Sequence, residues 1–371
     1  MKAIRWLPIL IAVLMTTTQC GGPVPVTSQG SPQPAMTPAE PADGLNALVN
    51  LKGEVRLKRA GWKEFYKTDF GTLLNWGDQL LVRSDASASV LCSSLILWPV
   101  PAGTQAGLAN GCPRAEPVIR RYDSAMSGIR GPADPLAPFV ITPRGAVLSP
   151  RPLLRWNPVG PGGAYTVRVT GADVAWEQTT RQDHLAYPGS PPLAPGGRYR
   201  LVVIAPDGSS SQDGDPVGGG FTMMDAATAE AVNAAARKIE ALGVPTEGHD
   251  YAVAQLYLSR GLYADAIALL ETLVSRGSAQ AAVYRSLGDA YRLSGVLLPA
   301  LEPYRRAVEL SKAAGDIEGE AAALRSLGEC AAGLGNAGDA KNWLGQSAQR
   351  YRDLGDDAAA AEIDAALEKI H

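Results

Sequence analysis

Three times in its last third the chain repeats one arrangement of small and bulky residues around a glycine. The first copy reads Val253-Ala254-x-x-Tyr257, Gly261, then Ala266-x-x-x-Leu270. The second reads Leu287-Gly288-x-x-Tyr291, Gly295 and Ala300-x-x-x-Tyr304, and the third Leu327-Gly328-x-x-Ala331, Gly335 and Ala340-x-x-x-Leu344. From Gly261 to Gly295 is a step of 34, and from Gly295 to Gly335 a step of 40, so six residues are added around Ser311 to Asp316. Spacings of three and four predict helices. Small residues such as Gly288 and Ala300, set against Tyr291 and Tyr304, allow two antiparallel helices to approach closely. A single pair of that kind cannot bury its apolar face, so the copies must stack.

With tyrosine in place of the usual tryptophan and phenylalanine, Tyr284-x-x-Leu287-Gly288-x-x-Tyr291 and Ala300-x-x-x-Tyr304 resemble the tetratricopeptide (TPR) repeat, whose period is 34. The resemblance covers the chain from about 247 to its end. It divides a helical region, 224–371, into repeats at about 247–280, 281–320 and 321–357, with a capping helix over 358–370. Ala226 to Leu242, after Asp225, reads as a helix preceding the repeats. Helix periodicity puts Tyr284, Leu287, Gly288 and Tyr291 on a packed face and Arg285, Asp289 and Arg292 on another. In TPR proteins that other face lines a concave, protein-binding groove. The resemblance therefore implies Tyr251, Gln255, Leu258, Arg285, Asp289, Arg292, Arg325 and Glu329 as groove residues. Arg285, Arg292 and Arg325 would there clamp a carboxylate such as a peptide's C-terminal end. The competing reading is a solvated face carrying salt bridges such as Arg285 with Asp289.

Ahead of the helices the composition turns to Gly, Pro, Val and Trp. Over 46–118 short alternating strands are broken by glycines, as in a small all-β unit. Gly53-x-Val55, Trp62 and Gly71-x-x-Leu74-x-x-Gly77-Asp78-x-Leu80 resemble the extracytoplasmic FecR-like domain, in which the Gly-Asp pair makes a tight turn. Lys52, Arg56, Lys58, Arg59, Lys63 and Lys67 interleave with Trp62, Phe65 and Tyr66. Such a mixture suits single-stranded nucleic acid or an anionic glycan, but equally a strand edge guarded by cations over an aromatic core.

Residues 119–138 read as a linker. From 139 to 223 period-two alternation returns, with Trp156, then Tyr165, Val167 and Val169, then Tyr199 after Pro195-Gly196-Gly197. This segment resembles a fibronectin type III or immunoglobulin-like sandwich. Trp156 would be its inner tryptophan, and Tyr199 its corner tyrosine, bonding backbone through the hydroxyl. Trp176 and Tyr187 are either core or a platform for a sugar.

At the N-terminus, Lys2 and Arg5 precede an apolar run from Trp6 to Met15, too short for the roughly 20 residues that cross a bilayer. Residues 1–19 read as a secretory signal. Cys20 directly after it resembles the lipidated cysteine of a bacterial lipoprotein signal, although Gln19 stands where a small residue is usual. A lipid anchor at Cys20 and plain secretion are the two readings, and 20–45 is a flexible Gly/Pro/Ser/Thr spacer. Export places the other cysteines in an oxidising compartment. Cys92 and Cys112 are then a candidate disulfide, and Cys330 a small buried thiol.

The three histidines, His184, His249 and His371, lie far apart in sequence, and there is no HExxH, Gly-x-Ser-x-Gly or Walker-type loop. A net charge of −3 gives no field to attract nucleic acid. The expectation is a multidomain exported protein of the cell envelope: two small all-β modules, then an all-α TPR solenoid, with no cofactor and no catalysis. It would bind a protein or peptide at the groove, and a membrane through Cys20. Alternatives are a signal-sensing role for the FecR-like domain, and glycan or cell-wall binding by the β modules.

Overall fold

The computed structural model describes residues 44–122, 135–160, 162–171, 173–213, 215 and 219–370. The signal at 1–19, Cys20, most of the spacer, the middle of the 119–138 linker and His371 lie outside the described residues. The fold is that expected in class, two all-β modules followed by an α-solenoid. Residues Glu40–His371 form one compact unit.

The first module is a sandwich of two antiparallel four-stranded sheets. Its strands are β1 (Asn46–Lys52), β2 (Val55–Lys58), β3 (Tyr66–Lys67), β4 (Leu73–Leu74), β5 (Gln79–Val82), β6 (Ser87–Leu91), β7 (Leu97–Val100) and β8 (Gln105–Gly107). One sheet runs β4-β1-β6-β7 and the other β3-β2-β5-β8. Leu48, Val55, Leu57, Leu80, Val82 and Val90 fill the space between them. Cys92 and Cys112 form a disulfide at the edge of this core, with Cα atoms 5.5 Å apart.

The second sandwich packs β14-β11-β9 on β10-β16-β15-β12-β13. Its strands are β9 (Val140–Thr142), β10 (Gly145–Val147), β11 (Leu153–Trp156), β12 (Tyr165–Gly171), β13 (Val174–Thr180), β14 (His184–Ala186), β15 (Arg198–Ile204) and β16 (Gly220–Met223). Trp156 is 1% exposed at its centre. The Tyr199 hydroxyl accepts a hydrogen bond from the Ala194 N–H at 2.7 Å. Trp176 and Tyr187 pack edge to face, centroids 5.3 Å apart, with Tyr187 buried.

The described helices are α1 (Ala226–Glu240), α2 (Thr246–Ser259), α3 (Tyr263–Ser275), α4 (Ala281–Leu293), α5 (Leu297–Ala314), α6 (Ile317–Gly333), α7 (Ala337–Leu354) and α8 (Asp357–Leu367). Small residues make the pairs possible. A Cβ on Gly288 of α4 would lie 2.6 Å from the Tyr304 ring of α5, and one on Gly328 of α6 would lie 2.7 Å from Leu344 of α7. The 40-residue step shows up as length: α5 and α6, which it spans, have 18 and 17 residues, against 13 each in α3 and α4. No described helix is long and apolar enough to cross a membrane.

The first sandwich and the helices pack directly on each other. β1 is buried on both faces, unlike the half-buried strand its alternation predicts. Leu48 points into its own sandwich, while Ala47 and Val49 join Tyr251, Leu256, Val283 and Leu287 in one shared core. Contact this close depends on missing side chains. A Cβ on Gly248 of α2 would sit 2.2 Å from the Val49 carbonyl oxygen, and one on Gly71 would sit 2.1 Å from the Ala282 Cβ of α4.

Candidate functional site

The first sandwich lies against α2 and α4, the first helices of the first two pairs. Of the groove residues expected on α2, all three are spent inside the molecule. Tyr251 is fully buried and its hydroxyl donates to the Gly71 carbonyl at 3.2 Å. Gln255 is 1% exposed and bonds the Ser286 hydroxyl at 2.8 Å. Leu258 lies in the shared core.

On α4 the three candidates separate. Arg292 is fully buried. Its Nε donates to the Tyr304 hydroxyl at 3.0 Å, and the same hydroxyl donates to Asp289 at 2.7 Å. Asp289 also accepts from the Tyr122 hydroxyl at 3.2 Å. Arg292 therefore belongs to a polar network between α4 and α5 and does not stand in a clamp with Arg285. Burial, and then the Asp289 carboxylate, hold the Tyr122 phenol well above the usual tyrosine range.

Arg285, Asp289, Arg325 and Glu329 do come together. They line a cavity of about 400 Å³ whose opposite wall is Leu45, Leu73, Arg121 and Tyr122. Arg325 donates to Glu329 at 2.9 Å. Burial raises the Glu329 carboxyl above its ordinary range, and Arg325 opposes that shift. Beside this cavity lies a second, of about 290 Å³, sharing Leu73, Arg121, Arg285 and Tyr351 with it.

Of the basic and aromatic strip of the first sandwich, Arg59, Trp62, Tyr66 and Lys67 face the helices. Lys67 Nζ donates to the Ala314 carbonyl at 2.6 Å, at the C-terminal end of α5, where the helix dipole favours a cation. The Tyr66 hydroxyl donates to the Asp353 carbonyl near the end of α7 at 3.1 Å. Trp62 is buried. Arg59 bonds Asp78 of its own sandwich and Glu318 of α6, the latter at 2.8 Å. These contacts gather at two copies of one turn. Gly315 and Gly355 close α5 and α7 at φ of 71° and 83°, and Asp316 and Asp356 then cap the next helices. The echo of Ala314-Gly315-Asp316 in Leu354-Gly355-Asp356 is the sequence signal for this docking surface. Another was in α2, whose run from Tyr251 to Leu258 is apolar on all sides but for Gln255, as in a helix covered on every side.

Among the described residues no group of three or more His, Cys, Asp or Glu side chains is placed to hold a metal ion. Cys330 is buried among the helices, and its thiol is pushed up to about 12, chiefly by burial.

No protein-family model matches the chain, and no curated protein matches its sequence. Among solved structures, MamA is 19% identical over 39% of this chain and 89% of its own, with a TM-score of 0.28. TTC0263, described as a thermophilic TPR protein in Thermus thermophilus, is 21% identical over 39% of this chain and 85% of its own, with a TM-score of 0.27. The architecture rests on this chain's own strands and helix pairs: a β-sandwich packed on helices α2 and α4 of an α-solenoid.

Proposed function

We propose that this is a non-catalytic, exported scaffold of the cell envelope that binds a protein partner through its TPR-like helix pairs. The observation that carries the reading is the division of the faces that α2, α4 and α6 turn towards the first sandwich. The α2 end is filled by the chain's own sandwich, whereas the α4–α6 part keeps an open, charged cavity. A surface that already grips one folded module is suited to hold another chain beside it. The partner-binding residues on this reading are Arg285, Asp289, Arg325 and Glu329. Membrane attachment through a lipid on Cys20 keeps the partner at the envelope.

The test is affinity capture from envelope extracts with the full chain and with its Arg285→Ala/Arg325→Ala double variant. Loss of a specific partner in the variant supports the reading, and identical partner sets from both chains would remove it. Membrane association that persists in a Cys20→Ser chain would remove the anchor alone.

A second reading, signal sensing, is favoured by the docked sandwich. Because it shares a core with α2 and α4, a ligand that shifted it would be felt directly by the array.

A further inference from the structure

We infer that the cleft between the first sandwich and helices α4 and α6 is a binding site for a small oxyanion-bearing ligand, a carboxylate or a phosphate. It would be held between Arg121 on the sandwich side and Arg285 on the helix side. This goes beyond partner binding, because the ligand is a small molecule and the site needs both walls.

The argument begins with the charges around the 400 Å³ cavity. Its two carboxylates are already engaged. Asp289 accepts from the Tyr304 and Tyr122 hydroxyls and lies 3.5 Å from Arg292, and Glu329 is bonded by Arg325. The guanidiniums of Arg121 and Arg285 are matched more loosely. Arg121 bonds only carbonyl oxygens, those of Gly44 at 3.3 Å and Leu74 at 2.9 Å. Arg285 has Asp289 no closer than 4.0 Å. Burial, and then repulsion from Arg59, lower the Arg121 guanidinium from its ordinary value, and Asp78 and Glu318 oppose that shift.

Leaving such groups in a partly enclosed site is costly, and an anion placed between them relieves both at once. The adjoining cavity carries the same two arginines. It also carries the Ser311 hydroxyl, which is 1% exposed and has no hydrogen-bond partner. A hydroxyl in that state is a donor awaiting an acceptor. The 400 Å³ volume falls within the range of small-molecule sites. Since one arginine comes from each wall, the bound anion would cross-link sandwich and array.

The experiment is calorimetric titration of the full chain with citrate, glucose 6-phosphate and, as the neutral control, glucose. Saturable binding of either anion, with no heat from glucose, is expected. Citrate alone or the sugar phosphate alone would assign the source of the oxyanion. Arg285→Gln and Arg121→Gln should each weaken binding at least tenfold, while Arg306→Gln on the outer face of α5 should leave it unchanged. Should either cleft variant fail to fold, hydrogen exchange on the unaltered chain decides. The anion must then slow exchange in residues 281–293 and 317–333 more than in the second sandwich. No saturable anion binding at millimolar concentration, or binding indifferent to both cleft substitutions, would overturn the site. Neither outcome bears on partner capture, which is read without the anion.

Discussion

The Tyr251 hydroxyl donates to the Gly71 carbonyl at 3.2 Å, joining helix α2 to a turn of the first sandwich across 180 positions of sequence. The Phe70 and Tyr251 rings meet edge to face beside it, 5.1 Å apart. Gly71 has φ of +75°, and Ala282 of α4 occupies the place its Cβ would take. Two modules that read as separate in sequence therefore share one packed core.

The first prediction follows from that turn. Gly71→Ala forces both a positive φ and a clash with Ala282, which together should cost roughly 2–4 kcal/mol. Gly61 is the control, since it also has positive φ, +87°, but nothing lies within 4 Å of its would-be Cβ. Gly61→Ala should cost only about 1 kcal/mol. Urea unfolding followed by helical circular dichroism measures both. Equal losses would mean that the close approach to α4 contributes nothing.

A second prediction concerns Arg59, which bonds Asp78, Glu318 and the Leu73 carbonyl. Asp78 is 4% exposed, so Arg59→Ala strands a buried carboxylate and should cost about 3–5 kcal/mol. Neutralising the stranded groups as well, with Arg59→Ala/Asp78→Asn/Glu318→Gln, should recover much of that loss. A triple variant no more stable than the single one would show that the cost lies in lost packing of the arginine stem.

The disulfide offers a third. Cys92 and Cys112 close a loop of 20 residues, and the chain-entropy argument gives such a bridge roughly 3 kcal/mol. Because the sandwich and the array share a core, the Cys92→Ser/Cys112→Ser chain should lose helical signal at lower urea, and in the same transition as its tryptophan fluorescence. A helical transition unmoved by the double substitution would contradict the single unit.

The helix pairs were legible because their signal is local. Gly288 against Tyr304 and Gly328 against Leu344 are requirements of two neighbouring helices, written within one repeat. The strands of both sandwiches were legible for the same reason, with Trp156 and Tyr199 marking the second. The docking of the first sandwich was not, because it depends on residues far apart meeting in space. Lys67 finds the end of α5 and Arg59 finds Glu318, and neither pairing leaves a periodicity to read. The expected clamp erred in the same way. Spacing along α4 puts Arg285 and Arg292 near one face, but Tyr304 of α5 draws Arg292 and Asp289 into the helix interface. Arg121, on the connector after the sandwich, carries no motif, and only the fold brings it opposite Arg285.

Asp316, the N-cap of α6, ties this interface to pH. It is 6% exposed, its carboxylate accepts from the Gly319 N–H at 3.0 Å, and its pKa is raised to about 7. Burial is the main cause, and the carboxylates of Glu318 and Asp69 add to it. A carboxyl raised in the folded state favours folding below its unfolded pKa of about 4 and loses that contribution as pH rises through about 7. Asp316→Asn keeps a cap acceptor but never ionises. It should therefore be more stable than the parent by roughly 2–4 kcal/mol at pH 8, with the gap closing towards zero near pH 4. Urea midpoints of the two chains between pH 4 and 8 measure it, and a gap that did not change with pH would exclude Asp316 as the titrating group.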